Sequence, residues 1–374
     1  MANTKHGLLL TGGGARAAYQ VGALKAISEF YPRNHGAPFK IITGTSAGAI
    51  NSCAIACYAS CFRLGVKKLE YIWKHFHAEH VFQCGFNEIS SHIIHLLSDK
   101  LKSSHVDRLP ISLFNNKPLH ELLDRYLDMQ RIDINIHRGY LDAISVTASD
   151  YSSGDSISFF QAESHIEEWQ RARRSGKRAI LNSHHLLASS AIPLVFPCSQ
   201  IGQDFYGDGS VHQLSPLSPA IHLGAEKLLV IGVEQPASLR LQNNCQTPSG
   251  ADIAGHLLDT IFTDTLNADI ERLTRINETL KITPPEMQAQ VNMKNIDLFR
   301  LSNDHDINAI ADKYFLDLPI TIRSMLRVIG VNEHSHSSIT SYLMFEKNYT
   351  RELIELGYQD VLKQEQAIRE FLAS

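Results

Sequence analysis

The sequence predicts an α/β fold built on a largely parallel sheet, and three observations point there. Short apolar runs such as His6 to Thr11 and Phe39 to Thr43 do not alternate with polar residues, as expected of strands buried on both faces. The first two runs each meet a glycine turn and then a segment of helical spacing, giving two strand-to-helix units within the first 65 residues. A third such run, Leu228 to Glu234 (LLVIGVE), lies far down the chain.

The elements follow in order. After Gly12-Gly13-Gly14, helical spacing runs from Ala15 to Tyr31 and stops at Pro32 and Gly36. The second strand leads through Gly44-Thr45-Ser46-Ala47-Gly48 into a small-residue helix reaching about Phe62. Lys67 to Met129 is mostly helical, with a break at Leu109 to Pro118. Leu141 to Ser149 alternates as a strand, with Ser156 to Gln161 as its hairpin partner, and Ser183 to Ala191 is a short helix ended by Pro193. Polar Arg240 to Gly250 reads as a loop or linker. A long amphipathic helix over Asp252 to Thr279, a strand at Asn295 to Leu301 and helix from Ile339 to Ala373 complete the chain. The late strand is expected to extend the same sheet, so residues 236–374 are read as an extension packed on a 5–235 core.

Composition narrows the function. The chain has 374 residues, 44% hydrophobic and 20% charged, which excludes disorder as its main state. Lys+Arg is 35 against Asp+Glu 39, a formal charge of -4, so no basic excess argues for nucleic acid as a partner. Six cysteines form no CxxC pair, and neither an HExxH nor a calcium loop occurs, so no metal or cofactor is expected. Cys53, Cys57 and Cys61 share one helix face and read as packing residues. The N-terminal apolar run is too short for a signal-peptide core, which leaves a reducing cytoplasm as the default. Ile41 to Phe62 carries no charge and is long enough to span a bilayer, but its small polar residues favour a buried strand, turn and helix.

The chemistry gathers on a few residues. Gly44 to Gly48 is G-x-S-x-G between a strand and a helix, where a sharp turn lifts Ser46 above the sheet and the glycines avoid collisions. Gly12-Gly13-Gly14-Ala15-Arg16 opens a helix with free backbone N–H groups suited to an oxyanion or a phosphate. A dinucleotide site would need an acid at the end of the second strand, where Thr43 to Ser46 stands instead. A serine nucleophile needs a base. None of the nineteen histidines stands out by motif, His184, His185, His212 and His305 included. Asp208, between Gly207 and Gly209, is expected on an exposed turn; burial against an apolar wall would raise its pKa and make it a usable base.

With these blocks in view the chain resembles the patatin-like phospholipases, serine acyl-hydrolases with a Ser-Asp dyad. GGGAR at Gly12 to Arg16 matches the oxyanion block and GTSAG at Gly44 to Gly48 the nucleophile elbow. ASSAIP at Ala188 to Pro193, running on to Phe196-Pro197, matches a third block, and DGS at Asp208 to Ser210 a fourth. The resemblance covers roughly residues 5 to 235. Ser210 stands where the family has Gly or Ala, and Ala17 where Gly is frequent.

The resemblance implies a three-layer α/β/α sandwich, with Ser46 as nucleophile and Asp208 as its direct base. It implies an oxyanion hole on the Gly12 to Arg16 block, made by the amides of Gly13, Gly14 and Ala15, with Arg16 orienting the loop or meeting a lipid phosphate. Thr45, Ala47, Gly209 and Ser210 complete the two loops. The implied substrate is a phospholipid or lysophospholipid, cleaved through an acyl-enzyme without a cofactor. An acyltransferase using the same serine, and a catalytically silent lipid-binding partner protein, are the alternatives. Five positive charges from Arg171 to Arg178 read first as a solvated helix end, and otherwise as a peripheral contact with an anionic inner-membrane surface. Ile93, Ile94, Leu96 and Leu97 read as core, with an acyl pocket or lid as the alternative. Oligomeric state is not legible.

Overall fold

The computed structural model describes residues 4–83, 112–235, 255–257, 259–260, 265–288, 293–328, 330–333 and 335–373. The expected linker at Arg240 to Gly250, the apolar cluster at Ile93 to Leu97, Cys84 and Cys245 lie outside them.

The sheet begins with β1 (His6–Leu10), β2 (Ile41–Thr45) and β3 (Ala143–Asp150). With β9 (Lys227–Ile231) and β10 (Asp297–Arg300) these five form a wholly parallel block in the order β10-β9-β1-β2-β3. Beyond β3 the sheet turns mixed. β4 (Ser156–Ala162) pairs antiparallel with β3, β6 (Arg174–Arg178) runs parallel to β4, and β5 (Trp169–Arg171) closes the edge. A two-stranded branch of β7 (Ser199–Ile201) and β8 (Asp204–Asp208) joins the far end of β3. This is the mixed α/β fold with a large, mostly parallel sheet that the sequence predicts.

Alternation within the apolar strands explains the layering. Leu8 and Leu10 of β1, with Leu229 and Ile231 of β9, face one core; Leu9, Leu228 and Val230 face a second. The first core is covered by α1 (Ala18–Glu29), α2 (Ala47–Cys57) and α3 (Phe62–Lys74). Next come α4 (Lys117–Tyr126), α5 (Gln130–His137) and α6 (Ser183–Ser189). The second core lies under α7 (Ser218–His222) and α8 (Thr265–Ile282). The chain then runs through α9 (Pro285–Gln288), β10, α10 (Ile307–Lys313) and α11 (Ile320–Val328). Three helices, α12 (Ser338–Leu343), α13 (Lys347–Lys363) and α14 (Glu365–Ala373), end it, and α13 packs along α1.

Two expectations change. The basic run Arg171 to Arg178 is the β5–β6 hairpin, not a helix end, and Arg173 takes φ 58° at its turn. The reason is a large ring needing cover: Trp169 stacks on Phe160 at 5.1 Å and on His222 at 5.0 Å. Arg178 is tied to the Ala162 and Glu163 carbonyls, so it is not a free membrane-facing charge. The expected C-terminal helix is broken twice, into α12, α13 and α14, whereas the long helix expected from Asp252 is helical at 255–257 and over Thr265–Ile282. The uncharged Ile41 to Phe62 window is buried strand, turn and helix, and no described helix is long and apolar enough to cross a membrane.

Candidate active site

Ser46 is the residue between β2 and α2 and takes φ 55°, ψ −132°, a conformation a residue with a Cβ rarely adopts. Close packing imposes the turn. A Cβ on Gly48 would lie 2.3 Å from the Leu10 carbonyl oxygen, and one on Gly44 would lie 2.5 Å from Ser52 Oγ. The turn is pinned from behind: Ser46 N–H donates to Ser189 Oγ at 2.8 Å, and that hydroxyl donates to the Thr147 carbonyl at 2.6 Å. The Ser46 amide is therefore occupied and is not a free oxyanion donor.

The β7–β8 branch carries Asp208 to the same point. Ser46 Oγ donates to Asp208 Oδ2 at 2.7 Å. Asp208 Oδ1 accepts from Ser210 N–H at 2.9 Å, and Ser149 Oγ holds the Asp208 carbonyl at 2.8 Å. Gly209 crosses β3 so closely that a Cβ would lie 2.1 Å from the Thr147 oxygen. The turn is not exposed: Asp208 has 0% accessible surface and Ser46 1%. Burial pushes the Asp208 carboxyl up to about 6, against the hydrogen bonds from Ser46 and Ser210 that favour its charged form. Thr45 Oγ1 donates to Gln213, behind the elbow. No histidine competes for Ser46 among the described residues. His185 caps α6 beside Asn182, and burial takes its pKa down to about 4; His305 bonds Asp360.

The glycine loop sits beside this pair. Gly14 takes φ 56° and begins a short 3-10 turn, Gly14–Ala17, whose first bond is Arg16 N–H to the Gly13 carbonyl at 3.1 Å. The amides of Gly14 and Ala15 thus precede the hydrogen-bonded ladder. Gly14 borders the same cleft as Ser46, whereas Gly12 borders a small cavity on the other side, with Thr45 and Ser210. Gln20 holds the Thr11 carbonyl at 2.8 Å, and Asn51 holds that of Ala17 at 3.1 Å.

Arg16 lies at the end of the glycine loop. Its guanidinium is fully buried and points into the C-terminal helices. Nε donates to Ser341 Oγ at 2.8 Å, one terminal nitrogen to Asn308 at 3.0 Å and the other to Asp259 at 3.4 Å, while Tyr342 stacks at 3.9 Å. The Tyr342 carbonyl also presses on Gly14, where a Cβ would sit 2.3 Å away. These partners, and Ser189, carry no sequence signal; only the ASSAIP block hinted at the last.

From Ser46 a narrow apolar cleft runs between α2, α3 and α4, walled by Ile50, Ala54, Leu69, Trp73, Leu123 and Phe345 among others. Cys53 and Cys57 are buried away in the core, where burial pushes the Cys57 thiol up to about 12; Cys61 lies beyond the end of α2. No group of three metal-ligating side chains converges among the described residues.

The patatin-like phospholipase family model matches residues 8–221, more than half of the chain. The chain belongs to the patatin-like phospholipase family. No curated protein matches the sequence. Among solved structures, human GIVD cytosolic phospholipase A2 in complex with methyl γ-linolenyl fluorophosphonate is 12% identical, with a TM-score of 0.45 over 99% of this chain and 59% of that one. VipD from Legionella pneumophila is 12% identical, with a TM-score of 0.33 over 95% and 67%. The ExoU–SpcU complex of Pseudomonas aeruginosa aligns at 14% identity and a TM-score of 0.28 over 97% and 76%. The chain thus spans about three fifths of the human enzyme.

Proposed function

We propose that this patatin-like protein is a lipid acyl-hydrolase of the phospholipase A or lysophospholipase type. The observation that carries the reading is the 2.7 Å hydrogen bond from Ser46 Oγ to a fully buried Asp208, at the base of an apolar cleft. Oγ attacks the ester carbonyl as Asp208 Oδ2 takes its proton. The tetrahedral oxyanion is met by the Gly13, Gly14 and Ala15 amides, with partial positive charge from the short helical turn behind them. Asp208 returns the proton to the leaving alcohol or lysolipid. Water, deprotonated by Asp208, then attacks the acyl-enzyme carbonyl, and Ser46 Oγ leaves, taking the proton back from Asp208, to release a fatty acid. A carboxylate with a pKa near 6 is ionised at neutral pH and still a stronger base than an exposed aspartate. The steps call on no metal or cofactor. The substrate is an ester lipid presented at a membrane surface, with the acyl chain in the cleft, and residues 236–374 act as part of the same catalytic unit.

The test is mass spectrometry of products from a mixed phospholipid, lysolipid and neutral-lipid extract, wild type against Ser46→Ala, with and without an added alcohol. Free fatty acid from wild type alone supports the hydrolase. An acyl-alcohol product in place of fatty acid assigns a transferase. No product, with no fluorophosphonate labelling of Ser46, assigns a silent lipid-binding protein.

A further inference from the structure

We infer that the cleft measures acyl chains, ending at the Tyr58–Lys68 pair so that recognition stops about thirteen carbons from the scissile carbonyl. This rests on the hydrolase reading and adds a substrate preference to it. Helix α2 is the ruler. Ala47, Ile50, Ala54 and Tyr58 all border the cleft, at spacings of three or four that keep them on one helix face. Eleven residues at about 1.5 Å each place Tyr58 about 16 Å from Ala47, the first residue past the turn at Ser46. An extended chain advances about 1.25 Å per carbon, from a bond of about 1.5 Å and an angle of about 111°. The apolar wall is therefore as long as an extended chain of about thirteen carbons.

The end of the ruler is built from charge. Lys68 Nζ donates to the Tyr58 hydroxyl at 2.5 Å, and the Arg131 guanidinium lies over the Tyr58 ring at 4.5 Å. Past this pair the space widens into an open groove bordered by Lys67, Asp124, Arg125 and Asp128. A methylene before Tyr58 leaves water for hydrocarbon contact, whereas one beyond it meets hydrated charges and gains no burial. Each added methylene should raise kcat/KM about fourfold up to the pair and change it little afterwards.

The experiment is kcat/KM for p-nitrophenyl esters from C4 to C18, below their aggregation limits, on the full chain. Wild type should rise to a break near C12 to C14. Ala54→Leu places a bulkier side chain about 10 Å along the helix and should bring the break to about C8. Lys68→Met removes the charge and should carry the break two or more carbons further. A wild-type profile that climbs steadily to C18, or a break that neither variant moves, overturns the ruler and leaves the hydrolase standing. Folded protein that turns over no ester of any length overturns the hydrolase reading and the ruler with it.

Discussion

The nucleophile side and the glycine-loop side of the site are held by different means. Ser46 on the β2–α2 turn, Asp208 on β8, Ser149 and Thr147 on β3 and Ser189 on α6 are locked by hydrogen bonds between neighbouring elements within the first 210 residues. The glycine loop, besides the local bonds from Gln20 and Asn51, is held across 243 to 325 positions of sequence by Asp259, Asn308 and Ser341 on Arg16, and by the Tyr342 backbone against Gly14. The difference teaches that the reacting pair and the oxyanion loop can fail separately. Damage to the C-terminal helices should spare the dyad and loosen the donors beside it.

The sharpest break in the comparison is on the dyad side. Ser46→Ala should cost more than about ten-thousandfold in turnover, with an unchanged melting temperature checked by scanning calorimetry. Asp208→Asn removes only the base; turnover should fall about 10³-fold, read from single-turnover acylation with a fluorophosphonate. Wild-type kcat/KM should rise with pH through a midpoint near 6, as Asp208 must be ionised to accept the proton; a flat profile from pH 5 to 8 would contradict its role. Stability should move the opposite way. Because folding raises this pKa from 3.8, the folded state holds the proton more tightly. That contribution, about 3 kcal/mol at 1.36 kcal/mol per pKa unit, is fully present below pH 3.8 and lost as pH passes about 6.

On the loop side, Arg16→Lys keeps a charge but cannot span Ser341, Asn308 and Asp259 together. We expect kcat to fall about 10- to 100-fold with KM within threefold, because oxyanion donors act mainly on the transition state. A rise in KM alone would point to ground-state lipid binding. Ser341→Ala is the gentlest probe: about 1 kcal/mol of stability by denaturant titration and a several-fold loss in kcat.

The same division explains what could be read from sequence. The elbow and DGS were legible because a turn lacking room for a Cβ demands glycine at fixed offsets, and such demands are local. The parallel strands were legible as unbroken apolar runs. The Arg16 partners were not, because Asp259, Asn308 and Ser341 are ordinary helix residues until folding brings them together. The β5–β6 hairpin is hidden in the sequence because its charges outnumber its apolar residues, while one ring, Trp169, decides its place. Asp208 was expected at the surface because Asp-Gly marks exposed turns; the pairing of β8 with β3 buries it.

Helices α1 and α13 touch backbone to backbone: a Cβ on Gly22 would lie 1.8 Å from the Ile354 oxygen, and one on Gly357 would lie 2.1 Å from the Tyr19 oxygen. This contact has a consequence in time. On the ribosome, α1 emerges more than 300 residues before its partner, a wait of roughly 20 to 70 s at about 5–20 residues per second. Until then the buried face of α1 stays uncovered, and Arg16, just ahead of it, lacks its C-terminal partners. The candidate site, wired this way, is completed only as synthesis reaches the C-terminal helices.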